Sequence, residues 1–125
     1  YEFGFLRGRR NNSNRTAGTL VIPDTVTYKG KTFKVTSMSS SLCKNFKKIT
    51  KVKIGNNIKE IPKNAFYKCK KLKSIKIGFG VVKIGTQAFY GCEVLKKIDN
   101  WAEIKTINSK AFYGCKKLKN ITIKK

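Results

Sequence analysis

The side chains in this sequence that could do covalent chemistry recur at a fixed interval. Cys69, Cys92 and Cys115 are each 23 residues apart, and a fourth, Cys43, stands outside that phase. A thiolate can act as a nucleophile or a metal ligand, and paired thiols can cross-link. The chain holds no histidine, so a cysteine here has no imidazole base and zinc has no nitrogen ligand. No C-x-x-C pair occurs either. Residues that share a phase point the same way, one above another. Neighbouring rungs about 5 Å apart lie within disulfide range, but parallel side-chain vectors and an odd ladder of three argue against bridging. The cysteines are expected to be free, buried thiols that act as small hydrophobes.

Acid–base chemistry has little more to work with. The carboxylates are Glu2, Asp24, Glu60, Glu93, Asp99 and Glu103, and no two lie closer than four residues apart. Against these 6 acids stand 29 basic residues, a formal charge of +23. The sequence predicts no enzyme, no metal and no cofactor. It predicts a charged binding surface on a folded chain, because 40% hydrophobic content is too apolar for a disordered polycation. No apolar run approaches the ~18 residues that a membrane span needs.

The elements that position these residues follow from the same interval. Ala65-Phe66-Tyr67 returns as Ala88-Phe89-Tyr90 and Ala111-Phe112-Tyr113. Leu72, Leu95 and Leu118 keep the step, as do Ile75, Ile98 and Ile121, and Ile61, Ile84 and Ile107. One step back lies a degraded copy, in which Cys43 takes the phenylalanine phase and Phe46 the cysteine phase. The units are 35–57, 58–80, 81–103 and 104–125. Each carries L-x-x-I-x-I, a short strand with alternating faces, then a turn, then A-F-Y-x-C as one compact turn. No unit can bury its apolar residues alone, so neighbours must stack. The expected fold is an α/β solenoid of about four repeats with a parallel sheet, in one structural domain. Residues 1–34 fall outside the period and are expected to form an N-terminal β-hairpin cap. Its polar tip is placed at Asn11-Asn12-Ser13-Asn14, between Phe3-Gly4-Phe5-Leu6 and Leu20-Val21-Ile22. The start at Tyr1, without methionine or leader, reads as a fragment or a processed product.

The motif I-x-x-x-A-F-x-x-C-x-x-L-x-x-I-x-I at this spacing resembles the BspA-like, or Treponema pallidum-type, leucine-rich repeats. The segment "LVIPDTVTYKGKTFKVTSM" resembles the stretch that precedes their first repeat. The likeness covers roughly residues 19–125. Gly55, Gly78 and Trp101 stand where that family usually has proline. The resemblance implies a curved right-handed solenoid with the sheet on its concave side. It also implies a cell-surface or secreted protein concerned with adhesion to host matrix proteins or other cells. It names no ligand.

The charge has its own phases. Arginine occurs only at Arg7, Arg9, Arg10 and Arg15, and every lysine lies from Lys29 onward. Lys51, Lys53, Lys76 and Lys97 fall on outward strand positions. Lys48, Lys71, Lys73, Lys96, Lys117 and Lys119 fall along the neighbouring edge. This ribbon suits an extended acidic partner, such as a matrix protein or an acidic polysaccharide of the glycosaminoglycan kind, held by diffuse, salt-sensitive attraction. A lysine-favouring codon composition is the plain alternative for the lysine count. Nucleic acid is the weaker fit. Phe66, Phe89 and Phe112 carry core phases, Tyr67, Tyr90 and Tyr113 read as a structural ladder along the convex side, and no nucleic-acid motif is present. Trp101 has two readings, an exposed anchor beside the charges or an inward side chain where the third strand shifts by one residue. An assembly role, in which a second copy covers the C-terminal coil, is the reading from another class.

Overall fold

In the computed structural model, which describes residues 2–3, 18–99 and 103–118, the 23-residue interval becomes the register of the sheets. The strands are β1 (Glu2–Phe3), β2 (Gly18–Ile22), β3 (Thr25–Tyr28), β4 (Lys31–Lys34), β5 (Ser37–Met38) and β6 (Ile49–Ile54). They continue as β7 (Glu60–Ile61), β8 (Ser74–Lys76), β9 (Lys83–Ile84), β10 (Lys97–Asp99) and β11 (Thr106–Ile107). The main sheet has the order β10-β8-β6-β2, all parallel. Lys51 lies opposite Ser74 and Ser74 opposite Lys97, while Val52, Ile75 and Ile98 form the next row inward. A second parallel sheet, β11-β9-β7, aligns Ile61, Ile84 and Ile107.

The alternation of β6 shows why the strands form. Ile49, Val52 and Ile54 are buried while Lys51 and Lys53 are exposed, so one face closes the core and the other meets solvent. Among the described residues no segment is α-helical. The A-F-Y-x-C arm is a run of tight turns joined by its own hydrogen-bond ladder. Phe66 N donates to Ala88 O and Phe89 N to Ala111 O, at 2.7 and 2.8 Å. Lys68 N and Gly91 N likewise reach Tyr90 O and Tyr113 O. Left-handed residues punctuate each arm at equivalent places: Ser41 and Asn45, Asn64 and Lys68, Gln87 and Gly91, Lys110 and Gly114. Units 58–80 and 81–103 are therefore bonded to each other along both strand arms and the turn arm.

Residues 1–34 pair differently from the expectation. β1 lies parallel to β5 and β2 lies parallel to β6, so β1 and β2 do not form an antiparallel hairpin. The expected tip at Asn11–Asn14 lies outside the described residues. The antiparallel hairpin is instead β3–β4, which turns at Lys29 and Gly30 with φ of 50° and 78°. Two successive positive φ angles match the twist of a tight two-residue hairpin. The reason for the difference is burial. Leu20 and Ile22 sit in the core while Thr19 and Val21 face out, and this alternation matches β6. The main sheet thus gains a strand outside the repeats.

Equivalent apolar residues stack inside. Phe66, Phe89 and Phe112 lie with ring centroids 5.4 and 5.3 Å apart and nearly parallel planes. Around them Ile49, Ile58, Ile61, Leu72, Ile75, Ile84 and Leu95 are buried, and no polar or charged residue among those described is. Each such side chain stabilises the fold by about 1.5–3 kcal/mol relative to exposure, before the entropy of ordering the chain is subtracted. Cys43 and Phe46, exchanged between phases, are both buried. The core absorbs the swap because total volume is nearly conserved.

Candidate binding surface

The outward face of the main sheet is read from the pairing. One column runs Thr19–Lys51–Ser74–Lys97, and the next Val21–Lys53–Lys76–Asp99. Lysine meets lysine directly only at Lys53 and Lys76. Ser74 separates Lys51 from Lys97, and Asp99 closes the second column, with Lys97 Nζ 3.7 Å from its Oδ1. Like charges about 4.8 Å apart in water repel by somewhat under ~1 kcal/mol, and this interleaving limits the number of such contacts.

The edge residues Lys48, Lys71, Lys73, Lys96 and Lys117 are all exposed, as are Lys51, Lys53, Lys76 and Lys97. The edge column is held by backbone bonds, Lys73 N to Thr50 O at 2.8 Å and Lys96 N to Lys73 O at 3.0 Å. Lys119 and Trp101 lie outside the described residues. Among those described there are two ion pairs, Lys97–Asp99 and Lys83–Glu60. Most of the ribbon therefore keeps its charge unneutralised.

At the C-terminal ends of the strands, Asp24, Lys53, Asn56, Lys76 and Phe79 surround a groove of about 300 Å³. Asp24 Oδ1 accepts Asn56 N at 2.6 Å, and Asn56 Oδ1 accepts Phe79 N at 3.0 Å. Asn57 Nδ2 also donates to the Asp24 backbone carbonyl. These bonds tie β2 to the two coils that follow and leave Phe79 68% exposed at the groove's rim. Asp24 escapes a 23-residue search because it lies 32 residues before Asn56. The partners align only once the β3–β4 hairpin is seen to intervene.

The thiols form a buried column. Cys69, Cys92 and Cys115 donate to the carbonyls of Cys43, Phe66 and Phe89 at 3.0–3.1 Å, and all four cysteines are free. Burial pushes the thiols of Cys43, Cys69 and Cys92 far above their ordinary range, and that of Cys115 up to about 11. Such groups are poor nucleophiles at neutral pH. Among the described residues, no three His, Cys, Asp or Glu side chains converge where a metal could be held.

A family model described as the BspA type leucine-rich repeat region matches residues 35–125 in 6 copies. The chain belongs to the BspA-type leucine-rich repeat family. Among solved structures it is similar to a leucine-rich cell surface protein of Faecalibacterium prausnitzii, at 33% identity and a TM-score of 0.73. That match covers 82% of this chain and 28% of the other. The pneumococcal vaccine antigen PcpA shares the fold at 20% identity and a TM-score of 0.50, covering 98% of this chain and 43% of that one. The chain thus spans less than half the length of either structure. Among curated proteins, none matches it. For a BspA-type repeat the parallel sheet and the stacked A-F-Y-x-C turns are the shared scaffold. Among the described residues no helix is long and apolar enough to cross a membrane.

Proposed function

We propose that this chain is a non-enzymatic recognition module of a bacterial cell-surface or secreted protein. It engages an extended acidic partner, a matrix protein or an acidic polysaccharide, through the lysine-bearing face and edge of its parallel sheet. The observation that carries the reading is the set of exposed lysines Lys51, Lys53, Lys76 and Lys97, held in register by the sheet, of which only Lys97 is ion-paired among the described residues. The surface location is supported by the similarity to the cell surface protein of F. prausnitzii, at 33% identity. A regular row of ammonium groups gives long-range attraction without selecting one sequence or sugar. Trp101 and Lys119, outside the described residues, belong to the proposed surface by sequence phase alone.

Retention on a heparin matrix tests this. The variant carrying Lys51→Glu, Lys53→Glu, Lys76→Glu and Lys97→Glu should elute at clearly lower salt than the parent chain. Unchanged elution would remove the sheet face as the binding surface.

A further inference from the structure

The side of the solenoid formed by the turns carries a second constellation. Tyr67, Tyr90 and Tyr113 stack face to face, with centroids 4.9 and 5.1 Å apart and planes within 10° and 21°. Lys44 stands at the tyrosine phase of the preceding coil, its Nζ 5.4 Å from the Tyr67 centroid. Lys68 and Lys110 place their ammonium groups over Tyr67 and Tyr113, at 5.5 and 5.8 Å. Two concavities run beside this ladder. One, of about 510 Å³, is lined by Asn45, Lys47, Lys68, Lys70 and Lys71. The next, of about 320 Å³, includes Lys68, Lys70, Tyr90, Tyr113 and Lys116. The two hollows adjoin at Lys68 and Lys70, which line both, and together they make a groove across the coils. Gly91 and Gly114 follow Lys68 in phase, with φ of 74° and 80°, so no side chain blocks the floor there. Glu93 is the one carboxylate on its wall.

We infer that this groove is an anion-binding track for a linear anionic polysaccharide laid along the solenoid axis. The chemistry selects that class. Both faces of Tyr90 are covered by its neighbours, and lysine ammonium groups lie 5.4–5.8 Å from the ring centres of Tyr67 and Tyr113. The rings therefore offer edges and hydroxyls, which suit sugar hydroxyls and sulfate or carboxylate oxygens. Nucleobases need an open ring face to stack on, and the ladder offers none between its rungs. Charge along the groove is intermittent, because Glu93 falls between Lys70 and Lys116. The rungs recur every ~4.8 Å, a step comparable to one pyranose along a chain. The track lies apart from the sheet face, sharing only Lys71 with its edge, and does not rest on the preceding proposal.

The test measures the affinity of a heparin oligosaccharide of defined length for three variants by calorimetry at fixed salt. Lys68→Gln with Lys70→Gln and Lys116→Gln should weaken binding by about tenfold or more. Tyr90→Phe, which keeps the stack and removes one hydroxyl, should weaken it by about threefold, on the scale of one hydrogen bond. Lys51→Gln with Lys53→Gln and Lys97→Gln removes the same charge from the sheet and should change affinity by less than the groove set does. Equal losses from the two triple variants would show that net charge alone matters and would overturn the track. Loss from the sheet set alone would overturn it while leaving the sheet-face reading standing, and loss from neither would overturn both. A single-stranded oligonucleotide of equal charge that bound as tightly as heparin would also overturn the choice of polysaccharide. Far-UV circular dichroism confirms that each variant is folded.

Discussion

Gly78 lies directly on the backbone of Gly55: a β-carbon added to Gly78 would collide with the Gly55 carbonyl oxygen and carbon. Gly55 rests in the same manner on Pro23 and on Asp24 Oδ1. This column sets the coil separation at the C-terminal ends of the main strands, next to the groove bounded by Lys53 and Lys76. Its constraint is contact, since no positive φ is involved at either glycine.

Gly78→Ala should therefore lower stability by about 1–3 kcal/mol, the usual cost of overpacking a closed interior. The urea midpoint reads the change. A shift within experimental error would mean that the coils separate freely there.

Ser41 occupies a left-handed position, φ 61°, with an exposed side chain. Its amide bonds to Lys63 O at 3.0 Å, a bond that glycine retains. The left-handed conformation costs a residue with a β-carbon roughly 1–2 kcal/mol, partly offset by the freedom glycine gains in the unfolded chain. Ser41→Gly should accordingly raise stability by about 0.5 kcal/mol. A lower urea midpoint would contradict this account of the turn arm.

Lys53 and Lys76 are direct cross-strand partners. Lys53→Glu converts repulsion to attraction and should stabilise by about 0.2–1 kcal/mol at low salt. The gain should shrink as salt shortens the screening length to about 3 Å near 1 M. The melting temperature of the parent chain, at +23, should rise with moderate salt for the same reason. A salt-independent difference between the two proteins would point away from charge.

The thiols make a pH prediction. The folded chain holds Cys115 up to about 11, from an ordinary value of 9.0, by desolvation. A raised acid favours the folded state in its protonated form. That contribution is complete below pH 9 and is lost as pH climbs toward 11. Alkylation at pH 8.5 should be slow at all four cysteines and fastest at half-exposed Cys115. Mass spectrometry after brief iodoacetamide treatment reads the order. Prior modification of Cys69 would show that the core opens before the final described coil does.

Much of the scaffold was legible because like side chains at one interval have only one economical arrangement. Ile75 over Val52, Phe89 over Phe66 and Cys92 above Cys69 all follow from phase alone. So do the outward positions of Lys51, Lys53, Lys76 and Lys97, which the sheet confirms as exposed. The partner of β2 was not legible, because period-two alternation in Leu20 and Ile22 states that one face is buried but not against which strand.

What the sequence determined by itself is whatever repeats: the core, the register of equivalent rows and the free, inward thiols. Tertiary structure alone decided the contacts between unlike residues. Asp24 meets Asn56 across a 32-residue separation, and Lys68 and Lys70 line two adjoining hollows beside the tyrosine ladder. A period specifies which residues lie above one another. It carries no information about the sideways reach of a long side chain or the place of a segment outside the period, and those set the binding surfaces.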